Sequence, residues 1–215
     1  RAFCAGAALD SFTDGERLSL TPAQLRSAFD EAINPLMREL MDIPKPVVVA
    51  INGIVAGGGN GLALCGDVVL AADTARFHCG FVQMLNLVPD AGSSWLLPTL
   101  MGRNRALPYA LMGEALDAMQ AREAGLVWKV VAPEALAAEA VACAERLMSN
   151  PPEALRRTRQ LFTDAQSVPF SQGLDAEREA NCHFIGTAET AEGVMAFLEK
   201  RPADFTAAAG RKANK

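Results

Sequence analysis

Apolar residues recur along this chain with two different periods. Thr21-Pro22 places a capping hydroxyl just ahead of a proline, which marks a helix start. Leu25, Phe29, Leu36 and Leu40 then recur at helical spacing, with Ile33 and Met37 beside them. Asn34-Pro35 falls inside this pattern, and a proline there removes a backbone donor, so a kinked or divided helix is expected. Pro44 and Pro46 stop it. Residues 46–51 (PVVVAI) and 67–72 (DVVLAA) are instead short β-branched runs, which predicts buried strands. Between them, residues 53–61 are glycine-rich and 62–65 read as one or two helical turns. Residues 94–113 read as helix interrupted by Pro98 and Pro108, 118–124 as a short helix, and 126–131 (LVWKVV) as another strand. Beyond Pro133 helical spacing holds over roughly 134–148, 152–166, 171–185 and 190–200. Continuous apolar strands alternating with helices predict an α/β fold with a mainly parallel sheet. The expected organisation is an α/β core over 1–132 and a helical C-terminal region over 133–215. Residues 3–15 are small and turn-like, and Arg1 to Gly6 read as the exit of a buried strand, so further strands are expected upstream.

Composition narrows the function classes. A chain of 215 residues, half of them apolar, suffices for one domain with a sizeable core or a domain with a small appendage. The formal net charge is -5, and the basic residues cluster only at Arg211, Lys212 and Lys215, so no nucleic-acid partner is expected. No apolar run approaches the ~18 residues of a membrane span, so no membrane partner is expected either. Cys4, Cys65, Cys79, Cys143 and Cys182 are odd in number and contain no C-x-x-C pair. Reduced thiols packed as small hydrophobes, in a cytoplasmic protein, are the expectation. His78 and His183 have no ligand motif around them, and no metal is expected.

The densest local signal is the strand over 47–51 followed by Gly57-Gly58-Gly59-Asn60-Gly61 and a helix. It does not fit the dinucleotide fingerprint, because Leu62 stands where the third glycine belongs, and it lacks the Gly-Lys-Ser/Thr of a phosphate loop. Two readings remain: a tight turn that needs glycine, or a backbone N–H at a helix N-terminus facing a negative oxygen. A second small-residue turn, Cys4 to Ala8, leaves its backbone N–H groups open to a ligand. Two such donors brought together make an oxyanion hole, in which one donor is worth about 2.7–4 kcal/mol at the transition state. Ser93-Ser94 has no G-x-S-x-G context and no nearby histidine in sequence.

Phe3-Cys4-Ala5-Gly6-Ala7, residues 45–53 (KPVVVAING) and Ala56-Gly57-Gly58-Gly59 closely resemble the enoyl-coenzyme A hydratase/isomerase (crotonase) family. Residues 67–77 (DVVLAADTARF), 87–92 (LVPDAG) and 196–201 (AFLEKR) extend the match, in the family's order, over nearly the whole chain. The resemblance implies a crotonase-like spiral of ββα units with a helical C-terminal trimerisation region. It implies a homotrimer or a hexamer made of two trimers. It also implies an acyl-CoA thioester substrate, with coenzyme A as part of that substrate and no tightly bound cofactor. The N–H groups of Ala7 and Gly58 match the family's oxyanion pair, and the backbone from Ala5 through Ala7 to Leu9 matches its adenine-binding turn. Phe197 and Lys200 match tail residues that reach coenzyme A held by a neighbouring subunit, although the residues alone leave Lys200 as a solvated helix charge.

The departures from the family matter most. The usual hydratases carry one glutamate where this chain has Gly61 and a second that falls on Phe81 or Val82. Adding water across a double bond needs a base for the water and an acid for carbon, work the two glutamates share. Asp90, in Pro89-Asp90-Ala91-Gly92, matches an aspartate used by isomerase relatives. Leu87, Val88 and Trp95 surround it in sequence and would desolvate its carboxylate, making a better base. The competing reading is an N-cap for a helix beginning near Ala91. Trp95, Phe81 and Met84 are candidates either for an acyl pocket or for the core. The resulting expectation is an enoyl-CoA isomerase with Asp90, Ala7 and Gly58 as catalytic groups. Hydration, thioester hydrolysis and catalytically silent acyl-CoA binding are the alternatives.

Overall fold

The computed structural model describes residues 2–15 and 17–210, so the readings on Arg1 and on Arg211, Lys212 and Lys215 lie outside the described residues. Helix α1 (Pro22–Ala28) opens with a capping box between Thr21 and Gln24. Pro35 does not divide the helical run. A π turn over Phe29–Ile33 leads straight into α2 (Asn34–Asp42), with the Asn34 N–H donating five residues back to the Phe29 carbonyl. The wider turn re-pairs the backbone where the proline cannot donate, so the chain stays helical through the interruption.

The predicted strands are the parallel sheet β2 (Val48–Ile51), β4 (Val68–Ala72) and β7 (Lys129–Val131), in the order β2-β4-β7. The third is shorter than the apolar run 126–131 suggested. A second sheet consists of β1 (Ala2–Cys4), β3 (Ile54–Ala56), β5 (Arg76–His78) and β6 (Leu116–Asp117), in the order β1-β3-β5-β6. Its pairs are parallel except β5 with β6. Consecutive strands thus alternate between sheets: β2 then β3, β4 then β5. A helix follows each pair, α3 (Gly59–Leu64) and then α4 (Phe81–Leu85). This is the ββα spiral. Ile51, Val55, Leu70 and Phe77 from both sheets are fully buried and anchor the core. Helices α5 (Ser93–Met101), α6 (Arg103–Met112) and α7 (Ala118–Glu123) complete this part of the chain. Pro98 and Pro108 lie inside α5 and α6, and the break between those helices comes at Gly102 instead.

The chain divides into two compact units, Arg1–Ile43 with Val47–Ala140, and Pro44–Pro46 with Val141–Lys215. The division falls inside α8 (Leu136–Met148). The second unit holds α9 (Pro152–Asp164), α10 (Phe170–Phe184), α11 (Ala188–Glu199) and the short α12 (Phe205–Ala209). The four longer C-terminal helices stand where the periodicity placed them; α12 was not predicted. Met148, Phe162 and Phe170 on these helices, and Ile185 just past α10, leave most of their surface exposed. Among the described residues no helix is long and apolar enough to cross a membrane.

Candidate active site

Parallel pairing of β1 with β3 sets Cys4 opposite Val55 and carries the two following turns side by side. Gly6 (φ 84°) and Gly57 (φ 54°) meet there, both in the left-handed region that favours glycine. A Cβ added to Gly57 would lie 3.6 Å from the Gly6 Cα, and one on Gly6 3.1 Å from the Ala56 oxygen. Ala7 and Gly58 are the residues that follow this contact. Neither of their N–H groups has an acceptor among the described residues. Gly58 is also the N-cap of α3, so its own N–H lies ahead of the helix's backbone pairing.

Asp90 comes to the same place. A Cβ on Gly58 would stand 2.9 Å from Asp90 Oδ1 and 3.5 Å from the Ala91 Cβ, so the carboxylate lies against the Gly58 backbone. Asp90 Oδ1 is buried and without a hydrogen-bond partner. Burial pushes its pKa above the ordinary aspartate value, with its own backbone amide pulling the other way. The capping alternative is not what the structure contains. Helix α5 begins at Ser93, its N-cap is Gly92, and no side chain caps it; the Asp90 carbonyl, not the carboxylate, accepts from the Ser93 N–H at 2.8 Å. Asn86 (φ 52°) and Ala91 (φ 46°) bracket Asp90 in the left-handed region. Such backbone strain in non-glycine residues costs of order 1–3 kcal/mol each and collects at functional sites.

The left-handed turn at Ala91 also bears on the two glutamate positions. It brings the Ala91 carbonyl onto Gly61, which is buried, so any side chain at 61 would collide with that backbone oxygen. Phe81 is buried, and its Cζ lies 3.9 Å from where a Gly57 Cβ would be, so its ring packs beside the glycine turn. Val82 is 39% exposed. Phe81 therefore belongs to the core, whereas Met84 and Trp95 are exposed side chains. Cys79 is wholly buried, and burial together with the nearby Asp90 charge pushes its thiol up to about 11, so it stays unreactive.

Two fully buried polar residues in this region were not among the sequence candidates for the site. Asn60, inside the glycine run, is fully buried and bonded to Gly57, His78 and Tyr109. Ser93 is fully buried with its Oγ unpartnered, like Asp90 Oδ1 three residues earlier. The signal for Asn60 was a lone amide among glycines, which reads as turn chemistry. In the sequence Ser93 reads only as a hydroxyl without the context of a nucleophile.

The remaining sequence candidates are spread more widely. Ala5 is exposed beside Gly6, and Leu9 opens a 3-10 turn (Leu9–Phe12) with 43% of its surface free. Phe197 and Lys200 belong to the second unit. Phe197 is 83% exposed, and Lys200 closes α11 in the left-handed conformation. A cavity of about 370 Å³ lies among Met101, Arg105, Tyr109, Met112 and Leu116, and Asp90, Ala7 and Gly58 do not line it. Among the described residues no group of three or more His, Cys, Asp or Glu side chains is placed to hold a metal ion.

A free amide donor at Gly58, lying against a half-buried carboxylate whose Oδ1 has no partner, is an arrangement suited to a carbonyl that becomes an enolate. Residues 1–208 match the enoyl-CoA hydratase/isomerase family. The chain belongs to that family. A 1,2-epoxyphenylacetyl-CoA isomerase of Escherichia coli (strain K12) is 42% identical over 207 residues, covering 96% of this chain and 78% of the relative. A probable enoyl-CoA hydratase of Rhodobacter capsulatus is 37% identical over 96% of this chain and 77% of its own length. Among solved structures, a putative enoyl-CoA hydratase/isomerase from Mycobacterium abscessus superposes with a TM-score of 0.86 at 33% identity, covering 94% of this chain and 76% of the other. An enoyl-CoA hydratase from Bacillus anthracis gives 0.84 at 36% identity, over 94% and 76% respectively. The crotonase fold and the enoyl-CoA hydratase/isomerase class of chemistry are thereby established for this enzyme.

Proposed function

We propose that this family member is an isomerase that shifts a double bond in an acyl-CoA thioester. Asp90 takes a proton from a carbon of the acyl chain, and the freed electron pair moves onto the thioester oxygen. The N–H groups of Ala7 and Gly58 hold that oxygen as it becomes enolate-like. When the electron pair returns, the double bond re-forms one position along, and Asp90 hands its proton to a different carbon. No water is consumed. General acid–base work of this kind contributes about 10²–10⁴-fold. The observation that carries the reading is the buried, unpartnered Asp90 Oδ1 lying against the Gly58 backbone. The closed space at Gly61 and the core position of Phe81 weigh against a two-glutamate hydratase. The likeness to an epoxyphenylacetyl-CoA isomerase makes ring-bearing thioesters the first substrates to try.

The rest of the ligand follows the family pattern in this proposal. The backbone at Ala5, Ala7 and Leu9 takes the adenine end of coenzyme A, and Phe197 and Lys200 reach coenzyme A on a neighbouring copy. The enzyme is then a homotrimer or a pair of trimers, and the exposed Met148, Phe162, Phe170 and Ile185 supply apolar surface for assembly. A panel of straight-chain and ring-bearing enoyl-CoA thioesters, with products weighed by mass spectrometry, tests the activity. Isomerisation leaves the mass unchanged, hydration adds one water, and hydrolysis frees coenzyme A. Asp90→Asn is expected to lose at least ~10²-fold in kcat while still binding the thioester. Full turnover in that variant removes Asp90 from the mechanism, and thermal stabilisation by thioesters without any turnover marks a silent binder.

A further inference from the structure

A trans peptide carries its C=O and N–H on opposite edges of one plane. Whatever grips the carbonyl of Gly57 therefore aims the N–H of Gly58. That carbonyl accepts twice from Asn60, from its side-chain Nδ2 at 2.9 Å and from its backbone N–H at 3.0 Å. The second Nδ2 hydrogen goes to the His78 carbonyl at 2.8 Å, at the end of β5. Asn60 Oδ1 accepts from the Tyr109 hydroxyl of α6 at 3.2 Å. Asn60 is fully buried and Tyr109 nearly so. Two carbonyls on one edge of the amide and a hydroxyl on the other leave a single orientation of the side chain. One residue of the glycine run is thus tied to β5 and α6 at once, and its bonds converge on the peptide that presents Gly58 N–H.

We infer that Asn60, held by Tyr109, is a positioning residue for the oxyanion donor: it locks and polarises the Gly57–Gly58 peptide so that the Gly58 N–H faces the thioester oxygen. This rests on the reading that Gly58 is one of the two oxyanion donors. A turn closed by the Asn60 backbone N–H alone would leave the peptide free to tilt. The side-chain bond adds a second donor to the same carbonyl, and hydrogen bonds in series strengthen one another in a buried setting. A donor fixed before the reaction needs no reorganisation when charge develops, which is where such a group has its effect.

The test uses the full chain with a bound, unreactive acyl-CoA thioester carrying a labelled carbonyl, read by infrared difference spectroscopy beside steady-state kinetics. Asn60→Ala is expected to lower kcat by about tenfold or more, with KM moving less than roughly threefold. The bound C=O band is expected to return toward its frequency in free solution. Tyr109→Phe keeps the ring and its packing and is expected to do the same to a smaller degree; it carries the test if Asn60→Ala does not fold. Asp90→Asn is expected to abolish turnover while leaving the band in place, so failure of the acid/base assignment and failure of this one are distinguishable. If both Asn60→Ala and Tyr109→Phe lower Tm yet leave kcat and the carbonyl band at their native values, the side chain serves only the core and the inference falls.

Discussion

Replacing Gly58 by alanine separates position from backbone conformation at the centre of the proposed site. Gly58 has φ -58° and ψ -17°, which alanine adopts without strain. In the unfolded chain alanine has less freedom than glycine, a gain of about 0.4–1 kcal/mol for the folded state. Opposing this, the new methyl stands 2.9 Å from Asp90 Oδ1, against an ordinary contact of 3.4 Å or more. The carboxylate must retreat by the difference, at least 0.5 Å. Rotating a short side chain off its rotamer costs about 0.5–1.5 kcal/mol, so the two contributions nearly cancel. Tm is then expected to stay within roughly 4 °C of the parent, as a change of about 1 kcal/mol implies at this chain length. Catalysis has no such compensation. A 1 Å misplacement is worth about 10²-fold, so half of that distance predicts a loss of about tenfold in kcat. Steady-state kinetics on one thioester, with Tm measured by differential scanning fluorimetry, supply both readings. Unchanged kcat at unchanged Tm would refute the idea that the carboxylate against Gly58 does the chemistry.

Two further expectations come from the same geometry. Because burial raises the Asp90 pKa, the folded state binds a proton more readily than the unfolded chain, and the cost of the buried charge is complete only above the raised pKa. Asp90→Asn is therefore expected to raise Tm at neutral pH, with the gain fading as pH falls toward the ordinary aspartate value of about 3.9; a gain independent of pH would contradict this. Gly61→Glu restores a residue type found in hydratases but drives its side chain into the Ala91 carbonyl. It is expected to destabilise by about 3 kcal/mol and to give no hydrated product, whereas a stable variant that adds water to an enoyl thioester would show that the segment after Asp90 yields easily.

Local pattern determined a large part of this protein. The β-branched runs 46–51 and 67–72 are neighbouring parallel strands, and the four longer C-terminal helices follow their apolar spacing. Motif order pointed to the family because small residues at Cys4 to Ala8 and Gly57 to Gly59 are needed wherever a ligand must reach backbone. Strands β3, β5 and β6 were not legible. They are two or three residues long, too short to establish a period, and form only because a paired neighbour supplies their hydrogen bonds. The details of the candidate site depended on the fold in the same way. Asn60 and Tyr109 meet across 49 positions of sequence, and Gly61 is closed by a carbonyl from a different turn. Hydrophobic periodicity records which face of an element is buried. Which atom then points at which neighbour depends on register and close approach between segments far apart in the chain, and only the folded structure decides that.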